Sequence, residues 1–251
     1  MNHCMPILDL FSDPISQDIS YMVMPHLRPL NDPEFCYLGE VIDLLAKHYR
    51  ECRLCMATMS LTDLNIMMDG AALYPDGFHP IRMNYSRDGV FKVEPLPRID
   101  NSVRYYFIDF GMSTKFATGA SPYVVGAKGR DQDVPELSRD VPYNAYEVDI
   151  YTLGNLYRKE FFEKYQGMDF LIPLIDAMTE EEPDHRPSAT VALPLFRRIH
   201  NNLDSELIRL RLRPRYETVS ERIVRDTCGR KRGDQHAEAV CRAIKVVTNY
   251  I

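Results

Sequence analysis

Between Glu34 and Cys52 the apolar residues Leu38, Val41, Ile42, Leu45 and Tyr49 recur at intervals of three and four. That period gathers them on one face of a helix. Two apolar runs precede it. "MPILDLF" (5–11) reads as a short strand, and "ISYMVMPHL" (19–27) as a second, closed by Pro25 and then by "RPLNDP". "LNIMMD" (64–69) has the look of a short buried strand, and "VRYYFIDF" (103–110) is rich in the aromatic and β-branched residues that suit a pleated surface. Residues 70–102 between them are irregular, punctuated by Gly70, Pro75, Gly77, Pro80, Gly89, Pro95 and Pro97. Residues 111–143 read as loop, with four glycines and three prolines. Helical patterns follow at 148–165, 168–178 and 188–203, and the remainder, 204–251, is charged and mixed. Strands gathered toward the front with helices behind predict an α+β fold.

Composition narrows this picture only modestly. The chain has 251 residues, enough for one domain or a large lobe with a tail. A formal net charge of −6 argues against a general nucleic-acid binder. The basic stretch "RLRLRPR" (209–215) reads as a solvated face or as a tail docked on an acidic surface. No run of apolar residues is long enough to predict a membrane span, and the start "MNHCMPILDLF" lacks the pattern of a signal peptide. Six cysteines without such a signal suggest reduced thiols in an intracellular protein, cytoplasmic or nuclear. Cys52 and Cys55 form a C-x-x-C, but no second pair completes a zinc site, so they read as two cysteines on one helical segment.

The candidate chemistry lies in an ordered series of short motifs. "YYFIDFG" ends in Asp109-Phe110-Gly111, and upstream Asn65 leads into the apolar "IMM". Downstream come "VPELS" with Glu136, "DIYTLGN" starting at Asp149, and "EEPDHRPSA" with Arg186. In this order the motifs resemble the protein kinase family, and most closely the fungal protein-kinase-like proteins with "LNIMMD", a "YPDGFHP"-type insert and "YYFIDFG". The resemblance implies a protein-kinase-like fold, mostly the helical C-lobe with a remnant of N-lobe strands. Residues 1–27 would be that remnant and the hinge, 28–203 the C-lobe with a long insert at about 70–102, and 204–251 a C-terminal tail. It implies that Asn65 and Asp109 are Mg²⁺ ligands. It places Met24, at the gatekeeper position, and Met67 in the nucleotide-binding set. Glu136, Asp149 and Arg186 would be structural, with Arg186 paired to Glu136 as a buried charge pair.

The chain also departs from the family pattern. No G-x-G-x-x-G occurs in it, and the strand lysine with its glutamate would fall before residue 1. Where the family has His-Arg-Asp this chain reads Thr58-Met59-Ser60. Ser60, at the general-base position, cannot accept a substrate proton at neutral pH as a carboxylate does. Asp63 could substitute only in a remodelled loop. Between Asn65 and Asp109 lie 43 residues, a length that is usually functional or disordered and that suits an interaction surface. The family activity is transfer of the ATP γ-phosphate to a protein hydroxyl, with Mg²⁺ and ATP as cofactors. Here the expectation is impaired catalysis, weak or no nucleotide binding and a pseudokinase-like binding or scaffold role, with a protein partner covering the exposed apolar cleft floor. The alternatives are an active kinase whose N-lobe is missing from this translation, and an unstable fragment.

Overall fold

The computed structural model describes residues 5–51, 65–111, 113, 114, 116, 117, 119–127, 131–201, 203 and 205–229. Strands β1 (Asp9–Ser12) and β2 (Ser20–Val23) pair antiparallel as a separate two-stranded sheet, with Leu10 opposite Met22 and Phe11 opposite Tyr21. They are shorter than their apolar runs, and every residue in them is exposed. A second sheet has the order β3 (Arg28–Pro29), β4 (Ile66–Met68), β5 (Tyr105–Phe107), antiparallel throughout. Its inward positions Ile66, Met68, Tyr105 and Phe107 are buried, because alternate residues of a strand point to one face.

Helix α1 (Leu38–Glu51) buries Val41, Leu44 and Leu45 against that sheet and the later helices. His48 of α1 is also fully buried, with its ring beside Phe107 at 5.6 Å, Tyr105 at 6.1 Å and Tyr157 at 6.2 Å. Helix α2 (Ala145–Tyr157) begins earlier than its apolar run, because Asn144 caps it by accepting from the Tyr146 amide at 3.1 Å. After Tyr157 it widens into a π-type turn, Arg158–Phe162. Helix α3 (Ile172–Met178) follows a 3₁₀ turn at Asp169–Leu171 and packs on α2. Gly154 permits that approach: a Cβ there would meet the Met178 Cβ at 2.7 Å. Helices α4 (Ala189–Asn201) and α5 (Val219–Gly229) complete the described residues, and the architecture is mixed α and β.

One expectation needs correction. Residues 111–143 are not all loop, since β6 (Tyr123–Gly126) and β7 (Ser138–Asn144) form an antiparallel pair. The sequence of β7, "SRDVPYN", is polar, and its Pro142 suits only an edge strand. The segment set apart as a tail at residue 204 packs, over 205–217, into the body. The Leu38 amide donates to the Leu210 carbonyl at 3.0 Å, Leu212 N–H to Cys36 O at 2.8 Å, and Gln166 N–H to Arg213 O at 2.7 Å. "RLRLRPR" is therefore a strap: Leu212 is buried, and Arg211 forks onto Glu217 at 2.8 and 2.9 Å.

The long insert is likewise wound around a buried cation. The Arg28 guanidinium is wholly shielded from solvent and pairs with Asp32 at 2.8 Å. It donates to Met83 O at 2.7 Å and Asn84 Oδ1 at 3.2 Å, and lies over the rings of Tyr74 at 4.4 Å and Phe78 at 4.6 Å. Where the insert returns, Arg98 donates to Pro33 O at 2.6 Å and Leu30 O at 3.1 Å and stacks over Phe35 at 4.2 Å. It also donates to the Tyr105 hydroxyl at 3.3 Å, whose pKa burial pushes up to about 12, so the phenol stays neutral.

Candidate functional site

The β4–β5 ribbon brings together two residues that are far apart in sequence. Ile66 pairs with Phe107, Met67 with Tyr106 and Met68 with Tyr105. One step further the Ile108 amide donates to the Asn65 carbonyl at 2.9 Å. Asn65, just before β4, and Asp109, just after β5, therefore lie at the same end of the ribbon. At the opposite end the Asp69 amide donates to Arg104 O at 2.9 Å, and the Asp69 carboxylate closes the turn Gly70–Ala72 by accepting from Ala71 N–H at 3.0 Å.

Asp109 is exposed, and its backbone φ is +58°, the one positive value at a non-glycine among the described residues. Aspartate tolerates this left-handed region better than most residues, and outliers of this kind cluster at functional sites. Its Oδ1 accepts from the Gly111 amide at 3.4 Å. Asn65 is half-buried. Met67 is half-buried on the face of β4 opposite to Ile66 and Met68, while Met24 is exposed just after β2. Ser60, Thr58, Met59, Asp63, Cys52 and Cys55 lie outside the described residues.

Farther along the chain, the structure brings Arg186 and Glu136 together in a two-pronged ion pair, with Nη2 to Oε2 at 2.9 Å and Nη1 on Oε1. Arg186 also donates to the backbone oxygens of Glu180 at 2.7 Å, Glu147 at 3.1 Å and Glu181 at 3.3 Å. These contacts use all five of its N–H donors. The guanidinium lies over the Tyr151 ring at 4.8 Å. One buried cation thus joins the 136 segment, the first turn of α2 and the loop before α4. Asp149 is half-buried in α2, with one carboxylate oxygen shut off from solvent.

A second tether was not legible from the motifs. Asn155 Nδ2 donates to Asp131 at 2.8 and 3.0 Å and to Asp133 at 3.1 Å, and Lys159 reaches Asp133 at 2.6 Å. The Lys159 hydrogen bond, followed by that of Asn155, holds the Asp133 pKa below the usual carboxylate value. The available signal was an amide and a lysine four residues apart, Asn155 in α2 and Lys159 in the π-type turn that continues it, together with a D-x-D at 131–133. His79, for which the sequence offered no chemistry, orders the insert: its Nδ1 accepts from the amides of Arg82 at 3.0 Å and Ile81 at 3.1 Å.

Among the described residues no group of three or more His, Cys, Asp or Glu side chains is arranged to hold a metal ion. The donors at the ribbon end are an amide and a carboxylate. An all-oxygen pair fits Mg²⁺, which keeps its waters and takes further ligands from phosphates. Among the described residues no helix is long and apolar enough to cross a membrane. The chain matches no protein-family model and no curated protein.

Proposed function

We propose that the chain is a protein-kinase-like module, built mainly on the helical C-lobe pattern, that is deficient in phosphoryl transfer and acts as a pseudokinase-like binding or scaffold protein. The observation that carries this reading is the placement of Asn65 and Asp109 at the same end of the β4–β5 ribbon, with Asp109 at φ +58°. The Glu136–Arg186 pair supports it as the matching structural motif.

In this reading Asn65 and Asp109 would hold Mg²⁺, which would supply charge neutralisation on nucleotide phosphates. The Ile108–Asn65 backbone hydrogen bond fixes the ribbon end, and Asp109 follows it in a left-handed conformation with its Oδ1 accepting from the Gly111 amide. Proton removal from a substrate hydroxyl fails at Ser60, because an alcohol ionises far above neutral pH.

The test is a phosphoryl-transfer assay with labelled ATP and Mg²⁺, run beside a thermal melt. No incorporation is expected. A small rise in melting temperature at millimolar Mg-ATP is expected, and Asp109→Ala should abolish it. Incorporation that disappears in Asp109→Ala would overturn the deficiency. A melt indifferent to Mg-ATP would remove the phosphate-docking role.

A further inference from the structure

The 70–102 segment holds a second polar centre besides Arg28, and it is built on a histidine. His79 is half-buried, and its Nδ1 accepts from the amides of Arg82 at 3.0 Å and Ile81 at 3.1 Å. Its backbone amide donates to Tyr85 O at 2.8 Å, so the turn 79–85 closes on both the ring and the main chain of this one residue. A small hairpin follows. Tyr85 bridges to Lys92, Val93 N–H donates to Asn84 O at 3.0 Å, and Ser86 N–H donates to Phe91 O at 2.7 Å. The tip of this hairpin folds back onto the imidazole. Gly89 sits there at φ +74°, and a Cβ on it would lie 3.2 Å from the His79 Cδ2.

An imidazole nitrogen accepts only through a free lone pair. With Nδ1 accepting, the ring is neutral and its hydrogen is on Nε2. A proton taken from solvent adds at Nδ1, and both ring nitrogens are then donors. The new N–H would face two amides that are also donors, and Ile81 and Arg82 would lose their acceptor. The charged neighbours are divided. The Arg82 guanidinium donates to Gly89 O at 3.3 Å and disfavours a second cation there, while the Asp88 carboxylate of the tip attracts one. Arg87 of the same tip is turned toward Gly77. Asp88 is exposed and already accepts from Ser86 Oγ and from Val90 N–H at 3.1 Å. An attraction this open to water is weak beside the loss of two hydrogen bonds.

We propose that His79 is an acid-sensitive catch on the 70–102 segment: the neutral ring holds the turn 79–85 against the tip 86–90, and protonation at Nδ1 releases them. Imidazole is the side chain whose charge ordinarily changes between about pH 5 and 8. The test is amide hydrogen exchange of the full chain at about pH 7.5 and about pH 5.5, corrected for the chemical exchange rate at each pH. It is read on peptides covering residues 79–93, with peptides covering 66–68 and 105–107 as a check on folding. Protection over 79–93 should fall about tenfold at the lower pH, with the check peptides unchanged. His79→Asn puts an oxygen in place of Nδ1 that accepts at either pH, so its protection should be the same at both. His79→Ala removes the acceptor, and its exchange should be fast and equal at both. Protection in the parent chain that is indifferent to pH overturns the proposal. So does an equal fall in His79→Asn, which would assign the effect to other groups. If His79→Asn fails the folding check, His79→Ala decides, and a pH-dependent fall in that variant overturns the proposal.

Discussion

Two antiparallel ribbons in this molecule have nearly the same kind of sequence and opposite fates. "DLFS" with "SYMV" forms the exposed β1–β2 hairpin, and "IMM" with "YYF" forms the buried β4–β5 ribbon. Both are largely apolar, five of eight residues in the first and six of six in the second, and that margin alone does not make one wholly exposed and the other buried. The difference is cover. Above the second ribbon sit His48 of α1 and Tyr157 of α2, and Arg98 reaches back to Tyr105, whereas none of the described elements buries the first. A strand's chemistry sets whether it tolerates burial, and its neighbours decide whether it gets it.

The comparison is broken most severely by loosening the cover. Arg186→Ala leaves Glu136 without its partner and strips three carbonyls of a donor, Glu147 O in the first turn of α2 and Glu180 O and Glu181 O in the loop before α4. We expect a loss of about 3–5 kcal/mol, read by chemical denaturation. Next comes a direct contrast of matched residues. Met68→Ala in the buried ribbon should cost about 2–5 kcal/mol. Met22→Ala in the exposed hairpin should stay within about 0.5 kcal/mol. Equal costs would show that the hairpin is covered as well. A smaller loss, about 1–3 kcal/mol, is expected for Gly154→Ala, since the added methyl must displace Met178 and Thr179 where α3 meets α2. A drop in melting temperature without a change in unfolding cooperativity would be its signature.

The smallest effect is a pH dependence at the start of α1. Burial raises the Glu40 pKa above its ordinary value of 4.5, against the opposing pull of the Cys36 amide, the Arg98 charge and the amides of Tyr37 and Ile99. The folded state then holds this proton more tightly than the unfolded state. The stability contributed by Glu40 is therefore full below pH 4.5 and declines as pH rises through the raised value. Subtracting the melting-temperature curve of Glu40→Gln from that of the parent chain should reveal this falling limb. A flat difference would contradict it.

Much of the buried ribbon was legible in advance, because Ile66 and Met68 alternate inward and the aromatic run at 103–110 contains β5. The face of α1 was legible from its period. The contact between Glu136 and Arg186 was expected only from the resemblance carried by the ordered motifs, and the structure places the two side chains together. Other features left weaker traces. β7 is built of polar residues held by pairing to β6 and by the Tyr143 hydroxyl on Gly126 O at 2.8 Å, so it shows no apolar alternation. The 205–217 strap is bound mainly through backbone hydrogen bonds, which any sequence can make. Buried polar residues such as Arg28, Glu40 and His48 broke the apolar pattern, and only the folded chain shows what each one satisfies.

Arg28 also changes what the 70–102 segment is. A single guanidinium holds Asp32, Tyr74, Phe78, Met83 and Asn84 at once, so the turns of the segment from Tyr74 to Asn84 share one anchor, while Arg98 fixes its return to Leu30 and Pro33. The segment should therefore open as one cooperative unit, with a shared local unfolding free energy, rather than fray turn by turn. A protease would then meet it either wholly closed or wholly open, and the first cut would commit the whole segment to digestion.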